Sequence, residues 1–298
     1  MGGGVGPPSR SFPPIVAIVR GGLGNQLLTW FAGSRLSEAS SRELLLNTRW
    51  FRLNSPPGTR AAHRRDFILH KYTGLSTTFR TMSPGAEWST YQMFRALSRL
   101  PVTPRGVALE AGRFRRPPRT GDWLVDGLFP DAESAISHRQ RLRQLLKPTE
   151  TEIQRMHRAH PWLSRARNYV AVHVRRGDRT LTPEMSSHML QPSYYRRALA
   201  EIDSDAPSIL VFSDSLDGLD LRAFPRGCTF VDEPDPRMAL FLMSSCGSLV
   251  MADSSLSWWA AVLGHGDRDS IIVPTPFWTP STLHAGEAIG AAWRRVER

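Results

Sequence analysis

Cysteine is nearly absent from this chain. Cys228 and Cys246 are the only two, and they form neither a metal-ligand spacing nor a disulfide framework. Lysine is nearly absent as well, occurring only at Lys71 and Lys147. Apolar runs such as IVAIV at 15–19 fall far short of the roughly 20 residues that a bilayer span requires. Residues 1–12 lack the apolar core of a secretory signal and are expected as a flexible tail. These absences point to a soluble protein of a reducing compartment, the cytoplasm.

Arginine takes the place of lysine. The 298 residues carry a net charge of +11, a balance that suits phosphate, nucleic acid or an anionic membrane surface. RFRRPPR at 113–119 and HRR at 63–65 are the densest clusters. Neither has the interleaved aromatics of a single-strand stacking platform, which disfavours nucleic acid. Most arginines read as solvated faces, and peripheral contact with an anionic membrane surface stays open.

The second half alternates strand-like and helix-like segments. Apolar runs at 169–174 (YVAVHV), 209–212 (ILVF), 228–231 (CTFV), 249–252 (LVMA) and 271–273 (IIV) read as strands. Helical spacing lies between them, at 193–202, at 237–246 with Gly247 as its C-cap, and at 255–263, which holds Trp258 and Trp259. Strands alternating with helices imply right-handed βαβ units and a parallel, doubly wound α/β sheet. The first half opens likewise, with IVAIV, the loop RGGLGNQ, a helix whose stripe is Leu27, Phe31, Leu36 and Ala39, and the strand ELLL at 43–46. Residues 54–120 show weak periodicity. WLVDGLF at 123–129 restores a strand, a helix runs to about Leu146, and Thr149 with Glu152 has capping-box spacing. The expected lobes are 13–150 and 165–280, with a C-terminal helix over 281–298.

Ligands of open parallel sheets bind beyond the carboxyl ends of the strands. Three such ends carry polar clusters: His173, Arg175, Arg176 and Asp178; then Ser213 and Asp214; then Asp253, Ser254 and Ser255. Singly, His173 reads as a core histidine and Ser254 as an N-cap; together they mark a site. Arginines at the end of a buried strand are costly unless an anion meets them, and their forks suit phosphate oxygens. Alternation would put His173 and Arg175 on one face and Arg176 on the other. The helix opened by Ser254 and Ser255 offers backbone N–H groups to the same anion, and a diphosphate fits best. The loop RGGLGNQ lacks the third glycine of a dinucleotide fingerprint, since Leu27 stands there. Asn47 occupies the position of a ribose-binding carboxylate, which counts against an oxidoreductase.

These clusters resemble glycosyltransferase family 11, the α-1,2-fucosyltransferases. GGLGNQL at 21–27, VHVRRGD at 172–178, YYRRAL at 194–199, FSDS at 212–215 and FLMSSCGSLVMADSSLSWWAAVLG at 241–264 carry the likeness. It implies two Rossmann-like lobes of the GT-B type and an inverting, metal-independent transfer of L-fucose from GDP-fucose to a glycan acceptor, α-1,2 to a galactose-type sugar. Another nucleotide-activated deoxysugar, or an inactive nucleotide-binding relative, are the alternatives. By motif, Arg175 and Arg176 would bind the donor diphosphate, His173 would sit near the nucleoside, and Asp214, Ser254 and Ser255 would border the donor. Gly22, Gly24 and Asn25 would face it across the cleft. Asp178 would orient the arginines, and Glu184 or His188 would take the acceptor proton. The sequence departs from the family at Arg179, Ser215 and Ala239, where tyrosine, aspartate and a guanine-holding aspartate are expected. DSD at 203–205 and DRD at 267–269 precede strands, the wrong edge for a metal site, so no metal is expected.

Overall fold

Both halves build parallel sheets, as the alternation implies. The computed structural model describes residues 13–53, 65–97, 106–109, 119–177, 186, 189–202, 208–215, 224–265, 270–278 and 288–298. The N-terminal lobe contains β1 (Ile15–Ile18), α1 (Leu23–Ser40), β2 (Leu44–Asn47), α2 (Arg49–Leu53), β3 (Arg80–Thr81), α3 (Pro84–Leu97), β4 (Val107–Leu109) and β5 (Leu124–Asp126). Its sheet runs in the order β3-β2-β1-β5-β4, with every pairing parallel. All four residues of β1 are buried, because helices cover a parallel sheet on both faces and its central strand reads as one apolar run.

Helices α4 (Ala132–Ser137), α5 (Arg139–Leu145) and α6 (Glu150–Ala159) lead to the second lobe. The continuous helix expected to Leu146 is divided at His138, which caps α5. The Thr149–Glu152 capping box is present in full at the start of α6. The C-terminal lobe follows with β6 (Tyr169–Val174), α7 (Pro192–Ala200), β7 (Ser208–Ser213), β8 (Thr229–Val231), α8 (Pro236–Ser245), β9 (Ser248–Val250), α9 (Ser255–Leu263), β10 (Ser270–Thr275) and β11 (Arg294–Glu297). Its sheet order is β11-β10-β9-β6-β7-β8, again parallel throughout.

Three local readings are corrected. Residues 281–298, expected as a helix, end in the strand β11. Trp293 and Val296 mimic a helical turn in sequence, but the open edge of β10 supplies a ladder, pairing Ile272 with Arg294 and Pro274 with Val296. Gly247 does not cap α8. Cys246 does so in an extended conformation, and the Gly247 N–H donates to Ala166 O (3.3 Å) and Tyr169 O (3.1 Å) on the way into β9. Ala39 is exposed, whereas α1 from Leu23 to Leu36 is buried on nearly every side. The reason is that α1 lies between its own sheet and helix α9 of the other lobe.

That contact joins the lobes. A Cβ on Gly24 would stand 2.5 Å from the Ser255 carbonyl carbon, so only glycine lets the two helix starts meet this closely. The Trp259 indole N–H donates to Gly24 O at 3.0 Å, and its ring meets Phe31 edge-on at 5.9 Å. Trp258 and Trp259 are fully buried. Among the described residues no helix is long and apolar enough to cross a membrane.

Candidate functional site

Each sheet reverses its strand order at one place. In the first lobe the chain moves outward from β1 to β3, crosses to the far edge at β4 and comes back to β5 beside β1. In the second it moves from β6 to β8 and returns at β9. Such switch points open a crevice at the carboxyl ends of the strands. The crevices of the two lobes face each other, forming a cleft of about 1010 Å³.

On the N-terminal side, the loop after β1 delivers Gly22 as the N-cap of α1, without a side-chain cap and without an acidic residue in the first turn. Space beside Gly22 is open, with nothing within 4 Å of a Cβ placed there. Gln26 is wholly buried. Its amide donates to Gly21 O (3.0 Å) and Asp66 O (2.8 Å), and its Oε1 accepts the Ile68 N–H (2.9 Å). One side chain therefore fixes the glycine loop to the 65–68 segment, which brings Arg65, Asp66 and Ile68 to the cleft wall.

On the C-terminal side, β6 ends at Val174, one residue before the arginines. β6 pairs with β7 so that Val174 lies beside Ser213, and the next positions, Arg175 and Asp214, are neighbours. Arg175 Nη1 donates to Asp214 Oδ2, and the Arg176 backbone N–H donates to Asp214 Oδ1 at 2.8 Å. A Cβ on Gly177 would collide with the Asp214 carboxylate, so glycine is what allows the turn to close over it. Asp214 thus clamps the turn, and Arg175 is the arginine presented to the cleft.

Helix α9 begins beside it. Ser254 is the N-cap, its hydroxyl accepting the Leu256 N–H at 3.2 Å. The Ser255 hydroxyl donates to Asn25 Oδ1 at 2.5 Å. Two helix N-termini, α1 and α9, therefore open onto one space that Arg175 also lines. Each carries about half a positive charge, an arrangement that favours negative charge in the cleft. Asp253, 2% exposed, accepts the Trp278 N–H at 2.9 Å and pairs with Arg298 at 3.2 Å. It anchors a cleft wall where Trp278 adopts φ 46°. Further along, Arg237 donates to Asp235 and Glu152, both at 2.8 Å, and to Lys71 O at 3.3 Å. Burial pushes the Glu152 carboxyl up, but hydrogen bonds from Thr149 and Arg237 outweigh it and hold the group below its ordinary value.

Gly22, Gly24, Asn25, Arg175, Ser254 and Ser255 all line the cleft. His173 (4% exposed) is buried within the sheet, and Arg176 and Asp214 stand behind the wall. Asn47 is structural, its amide donating to Glu87 O at 2.9 Å. Asp178, Glu184 and His188 lie outside the described residues, as do the 203–205 and 267–269 aspartates. Sequence reasoning missed Gln26, Asp66 and Trp278. It also missed that Asp214 orients Arg175, although the in-register pairing of two consecutive parallel strands was the available signal. Among the described residues, no group of three or more histidine, cysteine or acidic side chains is placed to hold a metal ion.

Two α/β lobes of parallel sheets face each other across one cleft. The model of glycosyl transferase family 11 matches residues 112–295, more than half of the chain, and the chain belongs to that family. An alpha-1,2-colitosyltransferase of Escherichia coli is 25% identical over 95% of this chain and 99% of its own. The O-antigen biosynthesis glycosyltransferase WbnK, also from Escherichia coli, is 25% identical over 87% of this chain and 92% of its own. The solved fucosyltransferase NodZ from Bradyrhizobium aligns over 85% of this chain and 94% of its own, at 12% identity and a TM-score of 0.45.

Proposed function

We propose that this glycosyltransferase moves L-fucose from GDP-β-L-fucose to a galactose-type hydroxyl, forming an α-1,2 linkage with inversion and without a metal. The supporting observation is that Arg175 and the N-termini of α1 and α9 converge on one cleft. A departing nucleoside diphosphate gains negative charge, and a guanidinium with two helix N-termini can stabilise it as preorganised donors. Arg175 is the main diphosphate ligand in this reading. Arg176 contributes through its backbone and its charge, and Asp214 is a positioning residue. Gly22 admits the donor closely, while Asn25 and Ser255 hold the two helix starts together. His173 supports the nucleoside side from within the sheet. Glu184 or His188 takes the acceptor proton, Asp178 reinforces the arginine turn, and Asp66 on the opposite wall is the other carboxylate offered to the acceptor. The free thiols Cys228 and Cys246 favour a cytoplasmic setting.

A second reading replaces fucose by another nucleotide-activated deoxysugar. It is favoured by the colitosyltransferase likeness and by Ser215 in place of an acidic residue. A panel of GDP-fucose, GDP-colitose, GDP-mannose and UDP-galactose, with galactosides as acceptors and with chelator present, separates the two by released nucleotide. GDP-fucose turnover that persists in chelator is expected. Turnover of a different sugar alone, or loss of activity restored by a divalent metal, would overturn the first reading.

A further inference from the structure

A second cavity, of about 460 Å³, lies behind the cleft wall, between α5, Tyr72, α8 and the end of α9. Leu263 on its wall ends the helix whose first residue, Ser255, lines the cleft. At 1.5 Å per residue those two wall positions lie about 12 Å apart, whereas Lys71 and Pro236 of the cleft are next in sequence to Tyr72 and Arg237 of the cavity. The cavity belongs to both lobes, and its size is that of a small-molecule pocket.

Its lining combines two kinds of surface. Leu146, Leu240, Phe241 and Leu263 form an apolar floor. Above it stand Arg139, Arg143 and Lys147, spaced four residues apart, with Arg237 on the opposite side. Among the described lining residues there is no aspartate or glutamate. Lys147 is matched outside the cavity by Glu150 at 2.6 Å. Arg139 and Arg143 pair with no carboxylate among the described residues: Arg139 donates to Val262 O at 2.7 Å, and Arg143 meets His265 at 3.3 Å. Burial, and then the charge of Arg143, hold the Arg139 guanidinium below its ordinary value. Arg237 is 8% exposed. Its terminal nitrogens are engaged, but its Nε–H is buried without a hydrogen-bond acceptor. Half-buried Arg139 beside exposed Arg143 and Lys147, next to apolar side chains, suits an anion that carries an apolar body.

We propose that this cavity is a second ligand site for an amphiphilic anion, whose apolar body covers Leu240, Phe241 and Leu263 while its phosphate or carboxylate meets Arg139 and Arg143. Arg237 also holds Lys71 O and Asp235, two elements of the cleft wall, so occupancy bears directly on the cleft. The site stands independently of which sugar the cleft transfers.

The test is calorimetry on the full chain with monomeric hexyl phosphate, inorganic phosphate and hexanol, together with flotation on phosphatidylglycerol vesicles. Hexyl phosphate should saturate one site at least about tenfold more tightly than either half-molecule, since head and body both contribute. Arg143→Ala, and separately Gln144→Glu on the exposed rim, should each weaken it at least about fivefold, as expected for one charge-assisted hydrogen bond. Arg175→Ala in the cleft should leave hexyl phosphate binding unchanged. Equal affinity for inorganic phosphate, indifference to both rim variants, loss in Arg175→Ala, or binding to vesicles without binding to the monomer would each overturn the proposal.

Discussion

The two lobes meet the cleft with similar parallel sheets, differently ordered beyond the switch point, and with different chemistry. In the N-terminal lobe, the switch point between β1 and β5 presents backbone: the glycine loop, an N-cap without a side-chain acceptor, and no charge in the first turn of α1. In the C-terminal lobe, the switch point between β6 and β9 presents side chains, with Arg175 clamped by Asp214 and Ser254 capping α9. Backbone can approach a ligand closely but carries only partial charge, whereas a guanidinium carries a full one. Under the proposed function, the switch point that carries Arg175 grips the leaving diphosphate. Under the same proposal, the open space beside Gly22 faces the donor.

Disturbing the joint between the lobes should have the largest effect on stability. Trp259→Ala removes a fully buried indole that bonds Gly24 across the interface. It should cost about 3–5 kcal/mol, read as a loss of denaturant midpoint with little change in slope. A loss below about 1 kcal/mol would mean that α1 and α9 do not depend on each other. Next in size is the charged edge. Arg175→Ala should lower kcat/KM by about 10²–10³, or about 2.7–4 kcal/mol of transition-state stabilisation. Arg175→Lys should recover little of it, because a point charge lacks the fork. Retained activity in either variant would shift the grip to Arg176.

The glycine loop offers a paired test at smaller scale. Gly24→Ala would press a methyl against Ser255, destabilising the fold by about 1–3 kcal/mol. Gly22→Ala, where the added carbon meets open cleft, should leave stability within about 0.5 kcal/mol and raise only the donor KM. Identical behaviour of the two variants would erase the distinction between packing and ligand-facing glycines. Smallest is the network behind the cleft. The Glu152 carboxyl is held below its ordinary value by Thr149 and Arg237 against the opposing effect of burial. Its contribution is present above the ordinary carboxylate range and is lost as pH falls through the lowered folded-state value. Glu152→Gln should therefore cost about 1 kcal/mol near neutrality, and the difference from the parent chain should shrink in acid. A constant difference from pH 7 down to pH 2 would show that the charge is not what matters.

Strand positions were legible in the sequence because fully covered parallel strands are continuous apolar runs, and the three polar clusters at their ends did converge on adjacent strands β9, β6 and β7. Long-range pairing was not legible. RRVE at the C-terminus carries no strand pattern and becomes β11 only because β10 has an edge to offer. Ala39 followed the helical stripe but lies past the contact with α9, and Gly247 looked like a cap while the chain had already turned into β9. Gln26 was hidden for another reason. Its partners Asp66 and Ile68 sit about forty residues away, in a stretch whose periodicity is weak.

The central claim is that the cleft is built around a diphosphate. Calorimetry of GDP and GMP against the parent chain and Arg175→Ala tests it most directly. GDP should bind the parent at least about tenfold more tightly than GMP, a margin of about 1.4 kcal/mol, and that margin should largely vanish in Arg175→Ala. Equal binding of GDP and GMP by the parent, or an undiminished margin in the variant, would contradict the assignment of Arg175 and of the two helix starts.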